Sequence, residues 1–198
     1  MTNVTAKQIA EFRAKTGLPM MECKKALIEA NGDEEKALEL LRKKGITKAA
    51  QKSERTTKAG IVESYIHNGG QIGVLVEVLS ETDFVAKNEE FKSFVHDLAL
   101  HIAGANPKYI SKEEIPLEEI EKERKILEEQ VAADKKPAEI VEKIINGKLE
   151  KYYSEICLLN QSFIKDQEIT IADLLASKIQ KIGENIIISR FARFEIGR

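Results

Sequence analysis

Residues Ile72 to Leu79 are almost wholly apolar, with Ile72, Val74, Val76 and Val78 on one face of a strand and Leu75 and Leu79 on the other. A strand apolar on both faces belongs inside a sheet or under a helix, so the rest of the chain has to supply its neighbours and its cover. The run Ile61-Val62-Glu63-Ser64-Tyr65-Ile66-His67 reads as one neighbour, joined through the tight turn Asn68-Gly69-Gly70 to the antiparallel return from Gln71. A last strand is expected over Asn185 to Ile196. Its Ile186-Ile187-Ile188 run suits a sheet interior, while Arg190 and Arg193, flanking Phe191 and Phe194, bring one face to the surface. These segments predict an α+β core: a three-stranded antiparallel sheet with helices packed on it.

Ahead of that core, residues 1–45 read as three short helices punctuated by glycines. Thr5 with Gln8 forms a capping-box pattern, Val4 with Ile9 has hydrophobic-staple spacing, and Gly17 closes the first helix. Pro19 opens the second and Asn31-Gly32 stops it. Asp33 caps the third, whose apolar face is Ala37, Leu38 and Leu41 and whose end is expected at Gly45, behind Lys43 and Lys44. A bundle this small is either a helix-turn-helix DNA reader or a ubiquitin-associated-like protein-binding module. The second is favoured, because Pro19-Met20-Met21-Glu22-Cys23 offers soft apolar groups and an acid where a recognition helix needs base-reading amides and guanidinium groups. Neighbouring methionines cannot face the same way on a helix, so one of Met20 and Met21 is expected at the surface. Residues 46–59 read as a basic linker, partly helical, whose Lys48, Lys52, Arg55 and Lys58 are better explained as a solvated face than as phosphate ligands. The core domain then covers residues 60–198.

Between the apolar strand and a strongly amphipathic helix lies Ser80-Glu81-Thr82-Asp83-Phe84-Val85-Ala86, a short polar and aromatic loop presented by two rigid elements. This is where function is placed. Phe84 there has two readings: an aromatic folded back to cap the core, or one held outward for a partner's pocket. Side-chain chemistry alone favours the first. Asn88 caps the following helix, in which Phe91, Phe94, Val95, Leu98 and Ile102 recur at helical spacing. Residues 111–150 turn charge-rich. Leu117, Ile120, Leu127 and Val131 form a narrow stripe, Asp134-Lys135-Lys136-Pro137 reverses the chain, and Ile140, Val141, Ile144 and Ile145 return, which predicts a protruding antiparallel helical hairpin. The chain is expected to continue as helix over Leu149 to Leu159 after Asn146-Gly147, followed by an irregular or short extended segment at Gln161 to Lys165 and then a helix from Thr170 to Gly183.

The net charge is -2 and the pI about 6.0, so there is no global basic field to attract nucleic acid. Cys23 and Cys157 are too isolated for a disulfide framework or a metal site and read as reduced structural thiols. Gly69, Gly70 and Gly73 match neither a dinucleotide fingerprint nor a phosphate loop. His96 and His101 stand five apart, off the spacing of a ligand pair, and His67 has no nucleophile assigned to it. No catalytic residues, metal ligands or cofactor are predicted, and an enzyme is not indicated. With no membrane-length apolar run and no signal-peptide pattern at Met1-Thr2-Asn3-Val4-Thr5, the chain reads as cytoplasmic.

Four ordered blocks carry a more specific signal. They are Lys15-Thr16-Gly17 with Met20 through Leu27, then Ser80 through Ala86, then Gly147 through Tyr152 running into Glu155 through Gln161, and finally Arg193-Phe194-Glu195-Ile196-Gly197. In these blocks the chain closely resembles the bacterial translation elongation factor Ts family over essentially its full length. The resemblance implies a guanine-nucleotide exchange factor for the GTPase elongation factor Tu, with a ubiquitin-associated-like N-terminal domain. It further implies that the loop of Thr82, Asp83, Phe84 and Val85 inserts beside the GTPase's magnesium site and dislodges the ion. Phe84 would be the wedge, Asp83 a polar participant near the ion, and Thr82 and Val85 the shapers of the loop, while Met20 and Met21 would dock on the nucleotide-binding domain. Longer relatives carry two core subdomains in tandem and this chain has room for one, which suggests a homodimer made through the helical hairpin or the terminal strand. Two competing readings are an adaptor of the ubiquitin-associated type without exchange activity, and nucleic-acid binding through residues 43–58.

Overall fold

The computed structural model describes residues 4–132 and 137–197. In chain order its elements are α1 (Ala6–Thr16), α2 (Met20–Glu29), α3 (Glu34–Lys52), β1 (Ala59–His67), β2 (Ile72–Ser80), α4 (Asp83–Ala86), α5 (Glu89–Ala105), α6 (Leu117–Ala132), α7 (Ala138–Ile156), β3 (Ser162–Phe163), β4 (Asp166–Thr170), α8 (Ile171–Ile182) and β5 (Ile186–Glu195). The architecture is α+β. Its main sheet is three-stranded and antiparallel in the order β1-β2-β5, so the doubly apolar strand β2 does lie between two partners. Val74, Val76 and Val78 of β2 are buried, whereas Leu75 on the opposite face is exposed. At Gly60 a side chain would meet the Val78 carbonyl at 2.3 Å, and φ is +151°, so only glycine lets β1 start this close to β2.

The chain divides into two compact units. The first comprises residues 1–64, 75–97 and 173–191, and the second residues 65–74, 98–172 and 192–198. In the first unit the expected caps are in place. Thr5 and Gln8 exchange capping-box hydrogen bonds, Gly17 ends α1 at φ 67°, and the Asp33 carboxylate accepts from the Lys36 amide. Ile9, Phe12, Leu18, Cys23, Ala26, Leu27, Ala37 and Leu41 form the core of these three helices, with Val4 packed against it as the staple spacing requires.

Three expectations need correction here. Helix α3 does not end at Gly45 but runs on to Lys52, through much of the segment read as a linker. Gly45 is a packing residue rather than a cap: a β-carbon there would come within 2.7 Å of the Gln180 side-chain oxygen on α8. Leu38, assigned to the apolar face, is exposed, because the buried stripe follows Ala37 and Leu41. Met20 and Met21 are both exposed, at 49% and 60%, since α2 buries its face only from Cys23 onward.

In the second unit α6 and α7 pack through Leu127, Val131, Ile145 and Leu149, with Val141, Ile144 and Tyr153 beside them. The reversal expected at Asp134-Lys135-Lys136 lies outside the described residues. Pro137 stands at the N-cap of α7. Leu117 and Ile140 are exposed, so the stripe is shorter than the hydrophobic pattern suggested. Helix α7 continues past Asn146-Gly147 as expected, and ends at Ile156 rather than Leu159. It passes through the glycine without a break, because Ile145 and Leu149 fall on the same α6-facing stripe and packing there outweighs the roughly 1 kcal/mol that a helical glycine costs. The Glu119 carboxylate accepts from the phenols of Tyr109 at 2.7 Å and Tyr152 at 2.8 Å, which hold it below the usual glutamate range. The segment after α7 contains an antiparallel pair, β3 and β4, where only an irregular or short extended stretch was expected. Among the described residues no helix is long and apolar enough to cross a membrane.

Candidate functional site

The stretch from Ser80 to Ala86 joins the end of β2 to a single helical turn, α4, and lies wholly in the first unit. Each residue before Phe84 is tied down. Ser80 is fully buried and its hydroxyl donates to the Thr82 carbonyl at 3.0 Å, which tightens the exit from the strand. Glu81 accepts the Asn185 amide at 2.6 Å and faces the Arg55 guanidinium at 3.5 Å. Thr82 donates twice to one carboxylate, from its amide to Glu184 Oε2 at 3.0 Å and from its hydroxyl to Glu184 Oε1 at 2.6 Å. Asn185, itself buried, donates its side-chain amide to the carbonyls of Ser53 and Arg55 beyond the end of α3.

Beyond Phe84 the chain is anchored by packing. Val85 and Ala86 are buried, and Asn88 then caps α5 by accepting the Glu90 amide at 2.8 Å. On one turn of helix, burying residues 85 and 86 turns residue 84 the other way. Phe84 is 81% exposed, so the reading favoured by its chemistry alone, a ring folded back on the core, does not hold. Asp83 sits beside it. Lys87, one turn on, donates to the Asp83 carboxylate at 2.7 Å, and that hydrogen bond with the lysine's charge holds the carboxyl below its ordinary value.

Thr82, Asp83, Phe84 and Val85 are therefore brought together on one short turn, in different roles: Thr82 is tethered, Asp83 ionised, Phe84 displayed and Val85 anchored. Met20 and Met21 stand elsewhere, on the first turn of α2. A polar chain leads from that turn toward the loop. Glu22 accepts from Lys48 and, at 2.7 Å, from Gln180 on α8, and α8 leads through Gly183 into Glu184. Burial pushes the Glu22 carboxyl up, but these two partners outweigh it and hold the group below its ordinary value. Sequence reading missed Glu184 and Asn185 as parts of the site. They lie about a hundred residues from the motif they hold, and nothing local in Gly183-Glu184-Asn185 announces the contact.

Among the described residues no group of histidine, cysteine, aspartate and glutamate is placed to hold a metal ion. His101 is buried and hydrogen-bonded to Gln161, and His96 is paired with Glu63. What the site does offer is an apolar ring and a carboxylate on a turn fixed at both ends. That is suited to entering a pocket on another macromolecule.

A family model described as Elongation factor TS matches residues 92–198. Among curated proteins, Elongation factor Ts of Carboxydothermus hydrogenoformans is 57% identical over 194 residues, spanning 98% of this chain and 89% of that relative. Elongation factor Ts of Caldanaerobacter subterraneus subsp. tengcongensis is 56% identical, with 98% and 97% covered. That of Koribacter versatilis is 54% identical, with 98% and 89% covered.

Proposed function

The chain belongs to the elongation factor Ts family, and on that premise we propose that it is a guanine-nucleotide exchange factor acting in the cytoplasm on the GTPase elongation factor Tu. It binds the GDP-bound GTPase, displaces the magnesium ion there and accelerates GDP release so that GTP can bind. It is not itself an enzyme and needs no cofactor. The observation that carries this reading is Phe84, an aromatic displayed to solvent on a turn whose other residues are tethered or buried.

The energetics suit such a role. Magnesium bridges a nucleotide's phosphates and its protein ligands through near-ideal octahedral geometry, so small displacements of those ligands weaken it. Moving one phenylalanine from water into a pocket releases about 1.5–3 kcal/mol, of the order needed to populate a distorted, nucleotide-poor state. In this scheme Phe84 is the wedge and Asp83 acts near the displaced ion. Thr82 and Val85 hold the turn in shape, with Val85 acting from beneath. Met20 and Met21 dock the ubiquitin-associated-like N-terminal domain, whose third helix runs on to Lys52, on the GTPase's nucleotide-binding domain. By linkage, GDP and this factor weaken each other's binding.

The chain acts as a homodimer, and the terminal strand is the contact favoured here, since Phe194 is 69% exposed on β5 and Ile196 just beyond it is also exposed. The basic segment does not favour a nucleic-acid reading, because Lys44, Lys48 and Arg55 are each paired with a glutamate. The experiment is release of labelled GDP from elongation factor Tu, with and without the chain at catalytic amounts. Multiple turnovers of accelerated release are expected; an unchanged rate would refute the proposal.

A further inference from the structure

We propose that Glu184 is a positioning residue for exchange, presetting the direction in which Phe84 leaves the fold; this rests on the exchange reading above. The Thr82 hydroxyl is spent in an unusual place. Thr82 is the N-cap residue of α4, and a threonine there ordinarily turns its oxygen back to accept an amide of the first helical turn. The Thr82 side chain makes no such bond. Its hydroxyl is a donor instead, directed with the Thr82 amide at the two oxygens of Glu184, at 2.6 and 3.0 Å. The helix has exchanged its own cap for a tether.

A turn of four residues has no intrinsic helical stability, since nucleation is unfavourable and only tertiary ties can impose the conformation. On its far side α4 is fixed by the burial of Val85 and Ala86. On its near side the fixing groups are Glu184 and, one residue away, a reciprocal bond: Glu81 accepts the Asn185 amide while Glu184 accepts the Thr82 amide. Each of the two converging segments thus lends a carboxylate to the other's backbone, which locks the end of β2 to the start of β5 with Phe84 immediately beyond. A charged acceptor taking two donors in this way is worth more than a neutral one. Without it Thr82 is free to turn inward as an ordinary cap, and the ring loses its fixed exit.

The test compares wild type with Glu184→Gln, which keeps the side chain's size but replaces one of the two acceptor oxygens with a donor. Three readouts are taken: exchange of the Thr82 amide hydrogen, the melting temperature, and catalysed GDP release across a range of factor concentrations. The Thr82 amide should exchange faster, while the melting temperature falls by no more than about 2–4 °C, the loss that one hydrogen bond entails in a chain of this size. The maximal release rate should fall about tenfold, with the half-saturating concentration changed by less than about twofold, the size expected from one charged hydrogen bond acting on presentation rather than on docking. In a Thr82→Val background, where the second donor is gone, Glu184→Gln should cost much less than it does alone. A Glu184→Gln chain with the wild-type maximal rate, or one whose loss simply tracks a lowered melting temperature, overturns the positioning role. A wild-type chain that fails to accelerate release overturns the exchange reading itself and this proposal with it.

Discussion

The His101 ring lies fully buried between two partners that leave it one protonation state. The Ile164 amide donates to Nδ1 at 3.2 Å, so Nδ1 must be the acceptor, and Nε2–H then donates to the Gln161 side-chain oxygen at 3.0 Å. A proton added at Nδ1 would face another donor. Burial, opposed only in part by the Gln161 hydrogen bond, lowers the His101 pKa below the ordinary 6.5. The sign follows directly: below pH 6.5 the unfolded chain takes up a proton that the folded chain refuses, so stability is full above that value and falls as the pH drops beneath it. Thermal unfolding between pH 7.5 and 5.5, set by the buffer, should show a melting temperature that is steady at the top of the range and declines at the bottom. The decline should be shallower in His101→Gln, whatever its starting stability; an equal slope in both would show that the ring does not carry the effect.

Two glycines on long helices make contrasting predictions at the scale of elements. Gly147 lies within α7 with nothing within 4 Å of the place a β-carbon would occupy, so Gly147→Ala should gain about 1 kcal/mol of helix propensity and raise the melting temperature by about 2–4 °C. Gly45 on α3 offers no such gain, because the added carbon would collide with Gln180, whose amide is already bonded to Glu22. Differential scanning calorimetry on the two variants distinguishes an open position from a packed one. The same contrast explains what could be read from sequence. Helix starts were legible at Thr5–Gln8 and Asp33 because a cap is local chemistry, as was the Gly17 stop. The end of α3 was not, because Gly45 is read the same way whether it closes a helix or admits a neighbour, and the neighbour is supplied by α8 far along the chain. The strands β3 and β4 were missed as a pair because a two-residue strand carries no periodicity. The loop's setting between strand and helix was legible, but the direction of Phe84 was not. Hydrophobicity alone ranks phenylalanine as the residue to bury, and only the turn of α4 shows that Val85 and Ala86 take the inward positions.

For the molecule as a whole, the proposed scheme makes the chain one half of a dimer that acts on a GTPase. Light scattering across concentration should report twice the 22.2 kDa of the chain, and Phe194→Asp, which places a charge on the exposed terminal strand, should shift the distribution to monomer. A monomer at every concentration in the wild type would contradict that stoichiometry. The exposure of Phe84 makes a clean experiment possible: removing the ring should leave the unfolding free energy within about 0.5 kcal/mol of wild type, since it supports nothing in the fold. Release of labelled GDP from elongation factor Tu, measured side by side for wild type and Phe84→Ala, is the most direct test. Strong acceleration by wild type and at least about a tenfold loss in the variant are expected, the equivalent of the pocket burial of one ring. Full activity in Phe84→Ala would contradict the wedge role.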